Sequence, residues 1–93
     1  MQVSFFEVAN MSTQMVVEQI VRKLRKRLEE ILGTQVQVIL YGSHARGEAE
    51  EGSDIDMLVI VPKLDAQTDA LINEVAWEVS FEAGAVLSVV PVA

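Results

Sequence analysis

The sequence predicts an α/β (α+β) domain: a small mixed β-sheet of at least three strands with two long helices packed against it. Three observations point there. Apolar residues recur at the helical period from Val17 to Leu32 and again from Leu71 to Val79. Three short apolar runs, Gln35 to Tyr41, Ile55 to Val61 and Ala85 to Val92, read as strands. Gly33, Pro62 and Gly84 punctuate these segments at their ends. The 93 residues, 51% of them hydrophobic, suffice for one folded domain over 1–93 with a modest core and are too few for two.

Met1 to Asn10 fits either a short strand or an arm, with Val3, Phe5 and Phe6 as its apolar residues. Ser12 or Thr13 then suits the N-cap of a helix that runs to about Leu32, with Gly33 as its stop. Val17, Ile20, Val21, Leu24, Leu28, Ile31 and Leu32 form the core stripe. Arg22, Lys23, Arg25, Lys26 and Arg27 lie on the other side, spaced for i,i+4 pairs from Glu18 to Arg22, Arg25 to Glu29 and Lys26 to Glu30. Such a face is usually just solvated, although it is also the one cationic patch on which an acidic surface or nucleic acid would dock.

The first strand alternates polar and apolar residues and then turns wholly apolar at its end. The second, IDMLVIV, reads as a strand covered on both faces and ended by Pro62. Asp65 is placed to cap a helix from about Ala66 to Glu82, with Leu71, Ile72, Val75 and Val79 inward and Gly84 as the stop. Trp77 and Phe81, four apart, are expected to extend the core, the alternative being a partner surface. A last strand, AVLSVVPV, follows.

Composition removes several chemistries. The chain has no cysteine, hence no disulfide, thiolate metal site or thiol nucleophile, and a reducing cytoplasm fits it. Met1 to Asn10 lacks the layout of a signal peptide. No apolar run approaches the roughly 18 residues of a membrane span. A net charge of −7 argues against non-specific nucleic-acid binding, which rests on Lys and Arg neutralising phosphates. A homo-oligomer remains open.

The chemistry is concentrated between Gly42 and Asp56. In an extended strand Asp54 and Asp56 point the same way, and two such carboxylates suit a hard cation, Mg²⁺ or Mn²⁺, which shares itself with substrate phosphates. The spacing alone equally allows a solvated or capping pair. A strand ending in Gly42 can bring its backbone close to a ligand, and Ser43 can cap a short helical turn whose exposed N–H groups attract phosphate. Arg46 lies one turn on, where its guanidinium could meet the same phosphates or pair with Glu48 or Glu50. His44, the only histidine, sits in the turn with no assigned role. Gly47 and Gly52 bracket an acidic loop, whose crowded carboxylates should make anion binding there depend on a cation.

Taken together, Gly42-Ser43-His44-Ala45-Arg46-Gly47 and Ser53-Asp54-Ile55-Asp56 closely resemble the signature of the minimal nucleotidyltransferases, small members of the DNA polymerase β-like superfamily. The resemblance implies the nucleotidyltransferase fold, with Gly42 and Ser43 holding a triphosphate, Arg46 and Ser53 beside it, and Asp54 and Asp56 as catalytic metal ligands. It further implies ATP as the nucleotide and a helical HEPN-type protein as partner in a toxin and antitoxin pair, where some members transfer AMP to that partner. A non-catalytic module that neutralises the partner by binding is the alternative.

The chain departs from that family in one place. The fuller catalytic set has a third carboxylate on a strand beside the D-x-D strand, as metal ligand and base. Ala85 to Ala93 holds no acid; Ser88 stands where it is expected, and Glu82 is a poor substitute. Without a fixed base a phenol, with a reference pKa of about 10, is an easier acceptor than a sugar hydroxyl.

Overall fold

The computed structural model of the chain describes residues 5–42 and 54–93, with side chains from Met15 onward. Helix α1 (Phe5–Leu32) leads to strands β1 (Gln37–Tyr41) and β2 (Ile55–Ile60), then helix α2 (Ala66–Ala83) and strand β3 (Leu87–Val92). The sheet order is β1-β2-β3, with β1 antiparallel and β3 parallel to β2. A parallel pair needs a crossover, and α2 supplies it. The α+β architecture expected from the alternation of periods is present.

Helix α1 starts earlier than Ser12 or Thr13. No Gly or Pro interrupts Phe5 to Leu32, and a hydroxyl residue inside a helix costs only about half a kcal/mol, so the helix runs through both. It ends at Gly33, whose φ of 69° is left-handed and whose N–H donates to the Glu29 carbonyl at 2.9 Å. The Glu29 carboxylate then accepts from the Val36 N–H at 2.9 Å, fixing the turn into β1.

Val17, Ile20, Leu24 and Leu28 are buried, with Val21 and Leu32 packed against them. Ile31 departs from the expected stripe and is 52% exposed. The basic face does not make the expected pairs within α1. Among the described residues the ion pairs run between helices: Lys23 Nζ lies 3.3 Å from Glu82 Oε2, and Arg27 donates to Glu82 Oε1 at 3.1 Å. The Arg27 hydrogen bond holds the Glu82 carboxyl below its ordinary range, and Glu82 in turn raises Arg27.

Helix α2 has the caps read from its sequence. The Asp65 carboxylate accepts from the Thr68 N–H at 2.7 Å, and Gly84, with φ 65°, donates to the Ser80 carbonyl. Ile72, Val75, Ala76 and Val79 face the core, while Leu71 is only half-buried. Trp77 and Phe81 do not extend that core: they are 68% and 77% exposed. At 3.6 residues per turn both fall nearly opposite Ile72 and Val79. Beyond Gly84, the Ser80 hydroxyl donates to the Ala85 carbonyl and accepts from the Leu87 N–H at 3.3 Å, which ties the helix end to the start of β3.

Both helices contribute to one core on one face of the sheet, with Ile55, Met57 and Val59 of β2 at its centre. The expectation of a β2 covered on both faces is therefore corrected. Burial alternates along it, and on the outer face Ile39, Tyr41 and Val90 are 38%, 37% and 42% exposed. The register sets Ile39, Leu58 and Val90 in one row of that face and Tyr41, Asp56 and Ser88 in the next. The Ile55 N–H donates to the Val86 carbonyl and the Val61 N–H to the Val92 carbonyl. Even-numbered residues of β3 thus bond to β2, and Pro91, lacking an N–H, faces the outer edge, where it blunts strand addition. No helix among the described residues is long and apolar enough to cross a membrane.

Candidate functional site

The end of β1 and the start of β2 meet because the antiparallel register pairs Tyr41 with Asp56. Gly42 follows with φ 74°, a conformation that side chains rarely adopt. A Cβ built there would lie 2.5 Å from Asp56 Oδ2, 3.3 Å from its Cγ and 3.4 Å from its Cβ. The Gly42 backbone therefore rests directly against the Asp56 carboxylate, in space that any other residue would fill. The glycine and the second acid of the motif, fourteen positions apart in the sequence, occupy one corner of the sheet.

Asp56 is half-buried on the open face of β2, and Asp54 is exposed one residue before the strand. The two-residue period carries both toward the same side. Among the described residues neither carboxylate pairs with a basic side chain, so their charge is not used in an internal ion pair. Two carboxylates in an open corner give hard oxygen donors and leave the rest of a coordination shell to water or phosphate, the donor set that suits Mg²⁺ or Mn²⁺. Among the described residues no group of three or more His, Cys, Asp or Glu converges on one point.

Ser88 is the parallel register partner of Asp56, so the position beside the second acid is a hydroxyl and not a carboxylate. Glu82 is held by Lys23 and Arg27 on the α1 side. Asp56 is thus flanked across the sheet by Tyr41 and Ser88. Tyr41 was not singled out from the sequence; its alternation with Leu40 and its place before Gly42 are the signals that it shares the face of the acids. Ser43, Arg46 and Ser53 lie outside the described residues, as do His44, Gly47 and Gly52.

A hollow of about 880 Å³ opens at the opposite end of the sheet, near Arg25, Gln35, Ile60 and Pro62. Its acid, Glu29, already accepts from the Val36 N–H, so that hollow brings no unpaired carboxylates together.

A family model described as the nucleotidyltransferase domain matches residues 21–90. A Methanocaldococcus jannaschii protein, provisionally named a protein adenylyltransferase, is 37% identical over 51 residues, which are 54% of this chain and 52% of that protein. The chain spans about half the length of that curated relative. No solved structure matches. The family match takes in the Gly42 corner, both aspartates and the strand that carries Ser88: the chain belongs to the nucleotidyltransferase domain family.

Proposed function

We propose that this chain is a Mg²⁺- or Mn²⁺-dependent nucleotidyltransferase that moves AMP from ATP to a hydroxyl of a partner protein, a HEPN-type toxin that it thereby neutralises in the cytoplasm. The observation that carries the reading is the contact between the Gly42 backbone and the Asp56 carboxylate, which sets a main chain free of side chain against an acid. The provisional name of the archaeal relative supports protein as the acceptor class.

In this reading Gly42 lets the β and γ phosphates approach the main chain. Ser43, Arg46 and Ser53, which fall between β1 and β2 in the sequence, complete the grip on them. Asp54 and Asp56 hold the cation, which when bound supplies charge neutralisation on the phosphates. The acceptor oxygen bonds to the α-phosphorus, the bond from that phosphorus to pyrophosphate breaks, and the acceptor proton passes to solvent. Ser88, beside Asp56, offers no carboxylate to take that proton, which favours a tyrosine acceptor. The open row of Ile39, Leu58 and Val90 gives the nucleoside an apolar floor without donors that would read the base.

That same serine favours a second reading, in which the fold and nucleotide corner persist and the partner is neutralised by binding alone. Incubation with α-labelled ATP, Mg²⁺ and the candidate HEPN-type partner separates the two. Transfer predicts label on a partner tyrosine that disappears when the cation is chelated. Stoichiometric partner binding with no label at any Mg²⁺ concentration contradicts transfer and supports the binding module.

A further inference from the structure

Helix α2 carries its two largest side chains on the side away from the core. The Trp77 and Phe81 rings stack with centroids 5.7 Å apart and planes 16° from parallel. With Ser80, Gly84, Ala85 and Val86 they line an open hollow of about 330 Å³, and Val86 is itself 58% exposed. A contiguous apolar patch on a chain this small is unusual unless something covers it, and aromatic rings are the residues that most often anchor an interface.

The patch reaches the end of the sheet that bears the acids from the helix-covered face, while Asp56 opens on the other face. The Val86 carbonyl accepts from the Ile55 N–H at 2.9 Å, which sets Val86 beside Asp54, and two residues on Ser88 pairs with Asp56. Gly42 adjoins Asp56 from the other side, at the end of β1. Phosphoryl transfer places the attacking and leaving oxygens roughly in line. With pyrophosphate leaving on the Gly42 side, the acceptor has to come in from the β3 side, around the end of the sheet at Val86. This step rests on the transfer reading above.

Charge selects the kind of acceptor. Helix α2 holds Asp69, Glu74, Glu78 and Glu82 and no basic residue, and of these Glu82 is engaged by Lys23 and Arg27. Glu74 and Glu78 are exposed and lie within a turn of Trp77 and Phe81. A second copy packed α2 against α2 would set these carboxylates against their own kind, on a protein of net charge −7. We propose that Trp77, Phe81 and Val86 seat the acceptor protein through an apolar segment flanked by lysines or arginines, and that this docking lets the acceptor hydroxyl reach around the end of β3 at Val86 toward Asp56.

Trp77 is the only tryptophan, so its emission reports on the patch directly. The probes are two synthetic helical peptides with one leucine and tyrosine stripe, flanked by Lys and Arg in the first and by Glu in the second. The cationic peptide should shift Trp77 emission to the blue saturably, and should bind about tenfold more weakly to Phe81→Ala, a change at an exposed position that leaves Mg-ATP binding as it is. The acidic peptide should give no shift. Equal binding of both peptides, or of neither, overturns the proposal. So does a blue shift with chain concentration alone accompanied by a dimer in sedimentation, which assigns the patch to a second copy. If Mg-ATP binds and the peptide does not, the docking surface alone falls; if Mg-ATP itself does not bind, the transfer reading falls with it.

Discussion

Gly42→Ala should leave the helices and sheet folded and lower Mg-ATP binding and transfer by about two orders of magnitude, the scale on which a ~1 Å displacement of reacting groups acts. Two effects add. An alanine at φ 74° carries backbone strain of about 1 to 2 kcal/mol. Its Cβ would also lie 2.5 Å from Asp56 Oδ2, a separation that real Cβ atoms do not show, so either the carboxylate swings away or the strand end shifts. Either movement separates the Gly42 backbone from the acid. The check is ATP titration calorimetry alongside thermal unfolding: a modest fall in Tm with near-complete loss of binding is expected. Unchanged binding in a folded Gly42→Ala chain would mean that the corner does not hold the nucleotide.

Ser88→Asp should accelerate transfer to an aliphatic hydroxyl, by about 10²-fold or more if the new carboxylate acts as a general base. Its register position beside Asp56 is the reason. The same proximity sets a charge beside a like charge, so without divalent cations Ser88→Asp should unfold at a lower temperature than the wild type, and Mg²⁺ should close that gap. Rates on serine and tyrosine acceptors, measured with both chains, test the assignment. A selective gain on the serine acceptor is expected, because the phenol needs the base less. No gain with ATP binding intact would place the acceptor elsewhere than on the β3 side of Asp56.

What the sequence disclosed follows from how local each signal is. The caps of α2 were readable because Asp65 and Gly84 act within one turn of themselves. The turn at Gly42 was legible because a left-handed backbone is a local need, whereas its contact with Asp56 depends on how β1 pairs with β2. The start of α1 was misplaced because Ser12 and Thr13 are as compatible with a helix interior as with its cap when nothing upstream breaks the helix. Hydrophobicity alone points Trp77 and Phe81 inward, whereas their phase against Ile72 and Val79 turns them outward. The outer sheet face looked covered because β2 is apolar at both parities, and only the placement of both helices on one side reveals Leu58 and Ile60 as an open floor.

Long-range pairings were the least legible part. The spacing within α1 offers partners to Arg22, Arg25 and Lys26, yet the ion pairs seen are those of Lys23 and Arg27, which share Glu82, 55 positions beyond Arg27, because α1 and α2 pack side by side. The neighbours of Asp56 likewise depend on strand register. Only that register makes Tyr41 a neighbour of Asp56, while Ser88 stands out in the sequence as the polar residue of its strand.

The central claim is that the Gly42 corner and the two aspartates bind a nucleoside triphosphate through a divalent cation. Calorimetric titration of ATP into the chain, with Mg²⁺ and with the cation chelated, in wild type and in Asp54→Asn combined with Asp56→Asn, tests it most directly. The account expects saturable binding by the wild type only with Mg²⁺, and none by the folded double variant. Binding that survives chelation and is the same in both chains, or its absence from a folded wild type at every Mg²⁺ concentration, would contradict it.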